Sequence, residues 1–318
     1  MPYASFATLL EDAHHENLAL AECVQTREAA ESDITTGEVR TRLRDALTVM
    51  REAIRQGSSP DIRSRSGLTG GDAARLFQTV NNPHAINVIG PRLTHVLAAS
   101  MATAELNAAM GRIVAAPTAG ASGVLPGTLL TLAHDHNLND ETLIDGLLIA
   151  GAIGACFAAR STLSGAAGGC QAEIGTAAAM TAGAVTYMLG EKFDAETNQN
   201  SKEKSNTEPS CDYASNSKAH YEAVGHAAAF AMQGQLGLVC DPVAGLVEIP
   251  CVARNATGAA IALTGAQMAL AGLKFPIPLD EVIEAAARVG AAIPPSLRET
   301  AKGGLATTPT ARKITCDL

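Results

Sequence analysis

Apolar residues recur every three or four positions through the N-terminal part of the chain, which predicts amphipathic helices. Between residues 5 and 30, Leu9 and Leu20 fall on or near one face, so a single helix is expected there. Residues 35–38 are Thr-Thr-Gly-Glu, the spacing of a capping box, and they predict a second helix that ends at Gly57.

The middle of the chain carries long stretches with almost no charge. Between residues 151 and 190 the only charged residues are Arg160 and Glu173, and residues 256–273 carry none. A membrane-spanning helix needs about 20 strongly apolar residues, whereas these stretches consist largely of alanine and glycine. We therefore expect closely packed, buried helices and no membrane contact. Strand signals are sparse throughout.

Residues 191–219 interrupt this pattern, because they are rich in asparagine, serine, glutamate and lysine and offer little to bury. We expect one large domain over residues 1–318, with 191–219 as a mobile insert and 311–318 as a C-terminal tail.

Composition narrows the functional classes. The chain has 318 residues and a formal net charge of −9, and no run of lysine or arginine predicts binding to nucleic acid. Its seven cysteines are irregularly spaced, unlike a disulfide framework, and its first residues lack the pattern of a signal peptide. These features predict a reduced, cytoplasmic protein.

Three cysteines stand beside turn-forming residues and carry the first candidate chemistry. Cys170 follows two glycines, Cys240 precedes Asp-Pro and Cys251 follows a proline, so loops can aim all three sulfurs at a shared centre. Structural zinc and iron–sulfur clusters normally take four protein ligands. Three ligands would leave one iron of a cluster open as a Lewis acid. Buried, inert thiols are the alternative, because no C-x-x-C pair is present.

Two further segments are candidates for binding an anion. At residues 68–73 a polar turn leads into a helix whose first amides are suited to an anion, although a plain helix start has the same pattern. The loop at 117–127 is built from small residues and lacks the lysine of a P-loop, so a nest for a carboxylate and a plain connection both stay open. The polar side chains concerned are Thr69, Asp72, Thr118 and Ser122.

Four motifs occur in one order along the chain. They are the small-residue loop at 117–127, Gly-Gly-Cys-Gln-Ala-Glu at 168–173, Cys-Asp-Pro-Val-Ala-Gly-Leu-Val-Glu-Ile-Pro-Cys at 240–251 and Gly-Gly-Leu-Ala-Thr-Thr-Pro-Thr at 303–310. Together they resemble the α chain of the iron–sulfur-dependent L-serine dehydratases. Each motif alone is weak, but the ordered set is specific, and the likeness covers roughly residues 35–190 and 220–312.

The resemblance implies an all-α catalytic domain in which Cys170, Cys240 and Cys251 hold a 4Fe–4S cluster whose fourth iron faces the substrate. In some members a C-terminal cysteine reaches that iron when substrate is absent, and Cys316 is the candidate here. The general base is left unassigned, with a partner chain as one source. The candidate substrate-binding residues are Thr69, Asp72, Asn107, Thr118, Ser122, Arg160, Ser164 and Asn255.

The chemistry implied is loss of water from L-serine. The iron draws charge from the β-oxygen, a base removes the α-proton, and the resulting aminoacrylate becomes an imine that hydrolyses to pyruvate and ammonia. Pyridoxal phosphate, the other route, needs a buried lysine. The chain has no lysine before Lys192, and the lysines outside the polar insert lie in junctions or the tail: Lys274, Lys302 and Lys313.

Two departures from the family leave alternatives open. Arg160 stands in a stretch that is usually rich in asparagine, so we expect it either to pair with Glu173 or to bind an acidic group on a related β-substituted amino acid. The family's second module, with its Ser-Ser-His-Thr motif, is absent, which predicts a separate β subunit or a homo-oligomer. A cluster-bearing subunit without catalytic activity is the remaining alternative.

Overall fold

The computed structural model describes residues 3–80, 82–201 and 217–318. Within these ranges it contains thirteen α-helices and no strand, which confirms the all-α class. One isolated bridge joins Cys240 to Arg298. The helices are α1 (Phe6–Glu16), α2 (Leu20–Glu31), α3 (Thr36–Gly57), α4 (Asp72–Val80), α5 (Pro91–Ala108), α6 (Val124–His136), α7 (Asp140–Arg160), α8 (Gly165–Gly168), α9 (Ile174–Ser201), α10 (Ser217–Gln233), α11 (Cys251–Leu270), α12 (Leu279–Ala292) and α13 (Pro309–Asp317).

The segment from residue 5 to residue 30 forms two helices, so the single helix expected there is wrong. α1 ends at Asn17, which adopts the left-handed conformation with φ 52° and donates its N–H to the carbonyls of Ala13 and His14. Asparagine tolerates this conformation better than most residues. The hydrophobic pattern continues through the break because α1 and α2 both bury apolar side chains in the same core cluster.

α3 begins and ends as predicted. The Thr35 hydroxyl accepts a hydrogen bond from the Glu38 N–H, while the Glu38 carboxylate accepts one from the Thr35 N–H. This capping box satisfies two free donors of the first turn. The helix ends at Gly57, which lies directly against the backbone carbonyl of Ala102 in α5. The absence of a side chain at that position allows the two helices to touch.

α9 lies in the centre of the helical body and packs against α7, α10 and α11. At Gly265 in α11, an added Cβ would lie 2.7 Å from the Ala227 carbonyl oxygen of α10. Small side chains therefore let these backbones approach closely, and the predicted tight packing of Ala/Gly-rich helices is confirmed. One cluster at this junction consists of Ala178, Ala182, Ala223, Ala227, Ala231, Ala262 and Ala269.

α7 is long and apolar enough to cross a membrane by length and composition alone, and it is the one such helix in the described part of the chain. In the protein 67% of its apolar window is buried, and its first turn forms ion pairs with α3, including Arg51 with Asp140. The core helix of a globular protein meets the same criterion, so the pattern carries no argument for a membrane.

The expected insert and tail have different boundaries in the structure. The backbone of α9 stays helical through Ser201 and that of α10 begins at Ser217, so parts of 191–219 continue core helices. The remainder of the expected insert, including Cys211, lies outside the described residues. The expected tail at 311–318 is instead mostly helical, because it belongs to α13, which packs against the turn at Val243–Gly245.

Candidate active site

Loops between the core helices surround a cavity of about 510 Å³. The structure brings Cys170, Cys240 and Cys251 together along its wall, although they lie far apart in sequence. Carboxylates and one guanidinium supply most of the remaining polar surface. The charged or amide-bearing side chains that line the cavity are Arg65, Asn107, Glu173, Glu248 and Glu299.

Cys170 begins a short turn after α8, and its position is fixed by contacts to the loop before Cys240. Gly169 adopts φ 76° and lies against the Leu238 carbonyl, so the backbone needs a residue without a side chain there. The Gln171 N–H donates to that same carbonyl. The buried Gln171 amide also donates to Ala286 in α12 and accepts from the Gly237 N–H.

Cys240 is held by the segment that follows α12. Its N–H donates to the Leu297 carbonyl at 2.8 Å, and its carbonyl accepts from the Glu299 N–H at 2.7 Å. The next residue, Asp241, is buried and accepts from the Leu305 N–H and from Arg254. Cys251 starts α11, so its orientation follows that helix. Backbone contacts therefore fix both cysteines before any ligand is bound.

The Cys240 and Cys251 thiols are poor acids in this setting. A hydrogen bond with Cys170, together with burial, raises the pKa of Cys240 far above its ordinary value. Burial raises the pKa of the Cys251 thiol to about 12. Arg254 is the cation beside them, and it donates to the Val239 carbonyl and pairs with Asp241. Cys240 and Cys251 are thus neutral at pH 7, and a bound cationic group would favour their thiolates.

Glu173 is a mostly buried carboxylate beside the cysteines. The Thr118 hydroxyl donates to its Oε1 at 2.7 Å. A Cβ at Gly165 would lie 2.6 Å from Glu173 Oε2 and 3.4 Å from Cys240 Sγ, so this glycine leaves room for the carboxylate. Burial and the nearby Glu299 raise the pKa of the Glu173 carboxyl, while the Thr118 bond opposes that shift. Thr118 therefore orients a cavity carboxylate.

Asn255 is fully buried and fixes the loop around residue 120 to α11. Its amide nitrogen donates to the carbonyls of Gly120 and Cys251, and its oxygen accepts from the Gly123 N–H at 2.8 Å. These bonds occupy the side chain, so Asn255 positions the loop. Ser122 lies in the same loop, also fully buried, and is not among the residues described along the cavity wall. Asn107 does line the cavity, and its amide donates to the Ala119 carbonyl.

Thr69 contributes to a polar junction at the cavity edge. Its hydroxyl donates to Glu248 at 3.1 Å, and the Ser66 hydroxyl donates to both oxygens of the same carboxylate. Glu248 is buried and lines the cavity. Thr69 thus joins the loop before α4 to the loop before Cys251.

The amides at the start of α4 already hold an anion from the protein itself. The buried carboxylate of Glu105 in α5 accepts from the N–H groups of Gly71, Asp72 and Ala73. The Asp72 side chain instead pairs with Arg75 on the surface. The expected anion site at 68–73 is therefore an internal helix cap, because Glu105 satisfies the donors that a ligand would use.

Three further candidate residues also do not line the cavity. Ser164 is exposed at the start of α8. Arg160 donates to the Ala4 carbonyl and pairs with Glu284, so the expected partnership with Glu173 is wrong. Cys316 is exposed on α13, although that helix packs against the turn that follows Cys240.

Several cavity residues had no signal in the sequence. Glu248 lies within the motif at 240–251, but no feature of the sequence marks its carboxylate as a cavity group. Arg65 and Glu299 stand in ordinary polar segments whose approach to the cavity depends on long-range contacts. Arg254 and Asn255 stand close to Cys251 in the sequence, and both donate hydrogen bonds around the cysteines.

No group of three or more His, Cys, Asp or Glu side chains within the described ranges is arranged to hold a single metal ion. The three cysteines nevertheless share one cavity.

The sequence model of the serine dehydratase alpha chain family matches residues 15–200 and 210–306. The chain belongs to this family. It is 39% identical over 306 residues to the probable L-serine dehydratase alpha chain of Bacillus subtilis, covering 96% of this chain and 92% of that one. The family resemblance drawn from the ordered motifs is thereby confirmed.

Two further relatives differ in length from one another. The L-serine dehydratase alpha chain of Peptoniphilus asaccharolyticus is 34% identical over 309 residues, covering 97% of this chain and 96% of that one. The L-serine dehydratase of Streptomyces coelicolor is 32% identical over 311 residues, covering 96% of this chain but 61% of that protein. The family therefore includes alpha chains of this length and longer single chains.

Proposed function

We propose that this protein is the alpha subunit of a 4Fe–4S-dependent L-serine dehydratase, which converts L-serine to pyruvate and ammonia. The observation that carries the proposal is one cavity lined by Cys170, Cys240 and Cys251, in a chain whose relatives are named L-serine dehydratases. The reduced cytoplasm is the compartment in which such a site would be stable.

The donor set fits such a cluster. Three thiols line a cavity of about 510 Å³, and no fourth cysteine lies on its described wall. When bound, a 4Fe–4S cluster with three protein ligands would supply an open iron as a Lewis acid for the serine hydroxyl. Arg254, which pairs with the buried Asp241 next to Cys240, places one positive charge among the loops that carry the cysteines.

The protein's own residues prepare the cavity for elimination. Asn255 and Asp241 fix the loops that carry the cysteines, so little reorganisation is needed when substrate binds. Thr118 orients the Glu173 carboxylate toward the cavity. The lining of the cavity offers no histidine or lysine among the described residues. A second chain is one source of the base that takes the α-proton, in keeping with relatives that are named alpha chains, and the cavity carboxylates are the other.

Lysine placement supports this route over pyridoxal phosphate. A Schiff base requires a lysine in the substrate cavity, and the described lining of this cavity contains none. Lys302, in the segment after α12, is exposed.

The test is iron and acid-labile sulfide content after anaerobic purification, with the visible spectrum recorded before and after L-serine. We expect one four-iron cluster per chain, a brown protein and a spectral change with serine. Single Cys→Ser changes at Cys170, Cys240 or Cys251 should each lower the iron content severalfold. Cys156→Ser is the matched control, because Cys156 is buried like Cys170 and Cys240 but lies in the core of α7.

The outcomes separate the alternatives. A colourless protein after anaerobic reconstitution would overturn the cluster and leave three ordinary buried thiols. A brown protein that releases no pyruvate from L-serine with its partner chain would support a non-catalytic subunit. Iron retained equally in the cavity variants and in the Cys156 control would place the metal elsewhere.

A further inference from the structure

Two charged side chains of the cavity form no hydrogen bond or ion pair with any other residue that the structure describes. Glu248 is bonded by Ser66 and Thr69, and Glu173 is bonded by Thr118. By contrast, neither the Arg65 guanidinium nor the Glu299 carboxylate forms a hydrogen bond or ion pair within the described part of the chain. One free positive and one free negative group therefore line the same cavity.

Arg65 differs from the other arginines around the site. Arg254 donates to the Val239 carbonyl and pairs with Asp241, and Arg298 donates to three backbone carbonyls. Both arginines stabilise the loops around the site, and their N–H donors are bonded to groups of the protein itself. Arg65 is the one cation on the described cavity wall, and its five N–H donors are left for a ligand.

The backbone that carries Arg65 is fixed on both sides. Its own N–H donates to the Ala108 carbonyl, and the Ser64 N–H donates to the Thr69 carbonyl. On the other side, the Ser66 hydroxyl is bonded to Glu248. An exposed arginine on a rigid loop loses less freedom when it binds a ligand than one on a loose loop.

Glu299 is fixed in an unusual conformation. It has φ 58°, in the left-handed region that residues with side chains rarely adopt. Its N–H donates to the Cys240 carbonyl at 2.7 Å, and the neighbouring Arg298 holds the chain through its three carbonyl contacts. Such strain persists where the surroundings enforce it, and it is concentrated at binding sites. The backbone thus holds this carboxylate beside Cys240.

We propose that Arg65 binds the carboxylate and Glu299 the ammonium group of an α-amino-acid substrate. A zwitterion needs one group of each sign, and these are the free groups that the cavity offers. Guanidinium suits a carboxylate because it can donate two parallel hydrogen bonds. The pair would select compounds that carry both charges, and it leaves the hydroxyl free for the chemistry at the cysteines. This inference rests on the proposed function.

The first test compares Arg65→Gln, Arg65→Lys and Glu299→Gln in the cluster-loaded enzyme with its partner chain. We expect KM for L-serine to rise about 10- to 100-fold in Arg65→Gln and Glu299→Gln, because each removes one charge-assisted bond. Arg65→Lys should recover part of the loss. Arg55→Gln is the control, since Arg55 pairs with Glu52 on the exposed surface of α3, and it should leave KM unchanged.

The second test uses substrate fragments as competitive inhibitors. Ethanolamine lacks the carboxylate and 3-hydroxypropionate lacks the ammonium group. Arg65→Gln should weaken binding of 3-hydroxypropionate by the same factor as serine and leave ethanolamine unchanged, while Glu299→Gln should do the reverse. A purely structural effect would weaken both fragments equally and would overturn the assignment, as would an unchanged KM in both variants.

The two proposals fail in distinguishable ways. Wild-type enzyme that turns over L-serine while the variants keep its KM overturns the charge pair alone. Wild-type protein that neither turns over L-serine nor binds it in a calorimetric titration overturns the pair and the proposed function together.

Discussion

The helical core and the cavity loops are stabilised in opposite ways. The core helices approach one another at alanine and glycine positions. Their packing therefore depends on small side chains at the contacts, as at Gly265. The loops that carry the cysteines are instead held by buried polar side chains bonded to backbone groups, as Asn255 and Gln171 are. Adding atoms should therefore destabilise the core, and removing a polar group should destabilise the loops.

The largest effect should come from filling a helix crossing. At Gly127 in α6, a Cβ would overlap the backbone nitrogen and Cα of Ser100 in α5. Because backbone atoms cannot rotate away, Gly127→Ala should lower the free energy of unfolding by about 3 kcal/mol or more. Thermal unfolding of the anaerobically purified protein is the measurement, and an unchanged transition would show that the crossing is loose.

The next effect tests the loops. Asn255→Ala would leave the Gly123 N–H and the carbonyls of Gly120 and Cys251 without their partner. Unpaired buried groups of this kind should cost about 2–4 kcal/mol and reduce iron content. Thr257→Ala, at an exposed position on the same helix, should change stability by less than about 0.5 kcal/mol. Equal effects of the two changes would contradict a positioning role for Asn255.

The same contrast explains what the sequence could predict. Local sequence signals predicted both ends of α3, because the capping box and Gly57 act within that one helix. The Ala/Gly-rich stretches also predicted close packing, since small residues have few other ways to form a core. The break at Asn17 was missed because the hydrophobic period continues through it, and one residue's left-handed conformation leaves no periodic trace.

The cavity was predictable only where its residues lie in motifs or adjoin them. Asn107 was a candidate and lines the cavity, whereas Asn255 was expected to bind substrate and instead bonds the carbonyls of Gly120 and Cys251. Glu105 could not be predicted as the cap of α4, because it reaches that helix from another one. Arg160 shows the converse error, because its place near a motif suggested a pairing with Glu173, whereas it pairs with Glu284. Long-range contacts decide such cases.

A smaller effect should appear in the pH dependence of the core. His220 in α10 is buried between Tyr187 and Tyr221, and burial lowers its pKa from the ordinary value of 6.5 to about 4. The unfolded chain therefore binds a proton between these values while the folded one does not. Stability from this group is present above pH 6.5 and is lost as the pH falls, by about 2 kcal/mol between pH 7.5 and pH 5.

His220→Phe should flatten that part of the pH profile, because phenylalanine keeps an aromatic ring and has no proton to bind. Urea unfolding at several pH values measures the difference between the two proteins. Parallel profiles would mean that the folded protein accommodates the charged imidazole, and the core would then tolerate a polar group better than its alanine-rich packing indicates.

The smallest predicted effect has the opposite sign and marks the edge of the core. Gly151 lies within α7, yet a Cβ added there would meet no atom within 4 Å. No helix crossing depends on this glycine. Gly151→Ala should therefore stabilise the protein by about 0.5–1 kcal/mol through helix propensity alone. The same thermal unfolding experiment compares it with Gly127→Ala. Gly151 lies along an apolar groove that Tyr3 and Leu43 also line. If Gly151→Ala were destabilising instead, another group would have to occupy this groove in the assembled protein. The boundary between packed core and open surface would then lie further out along α7.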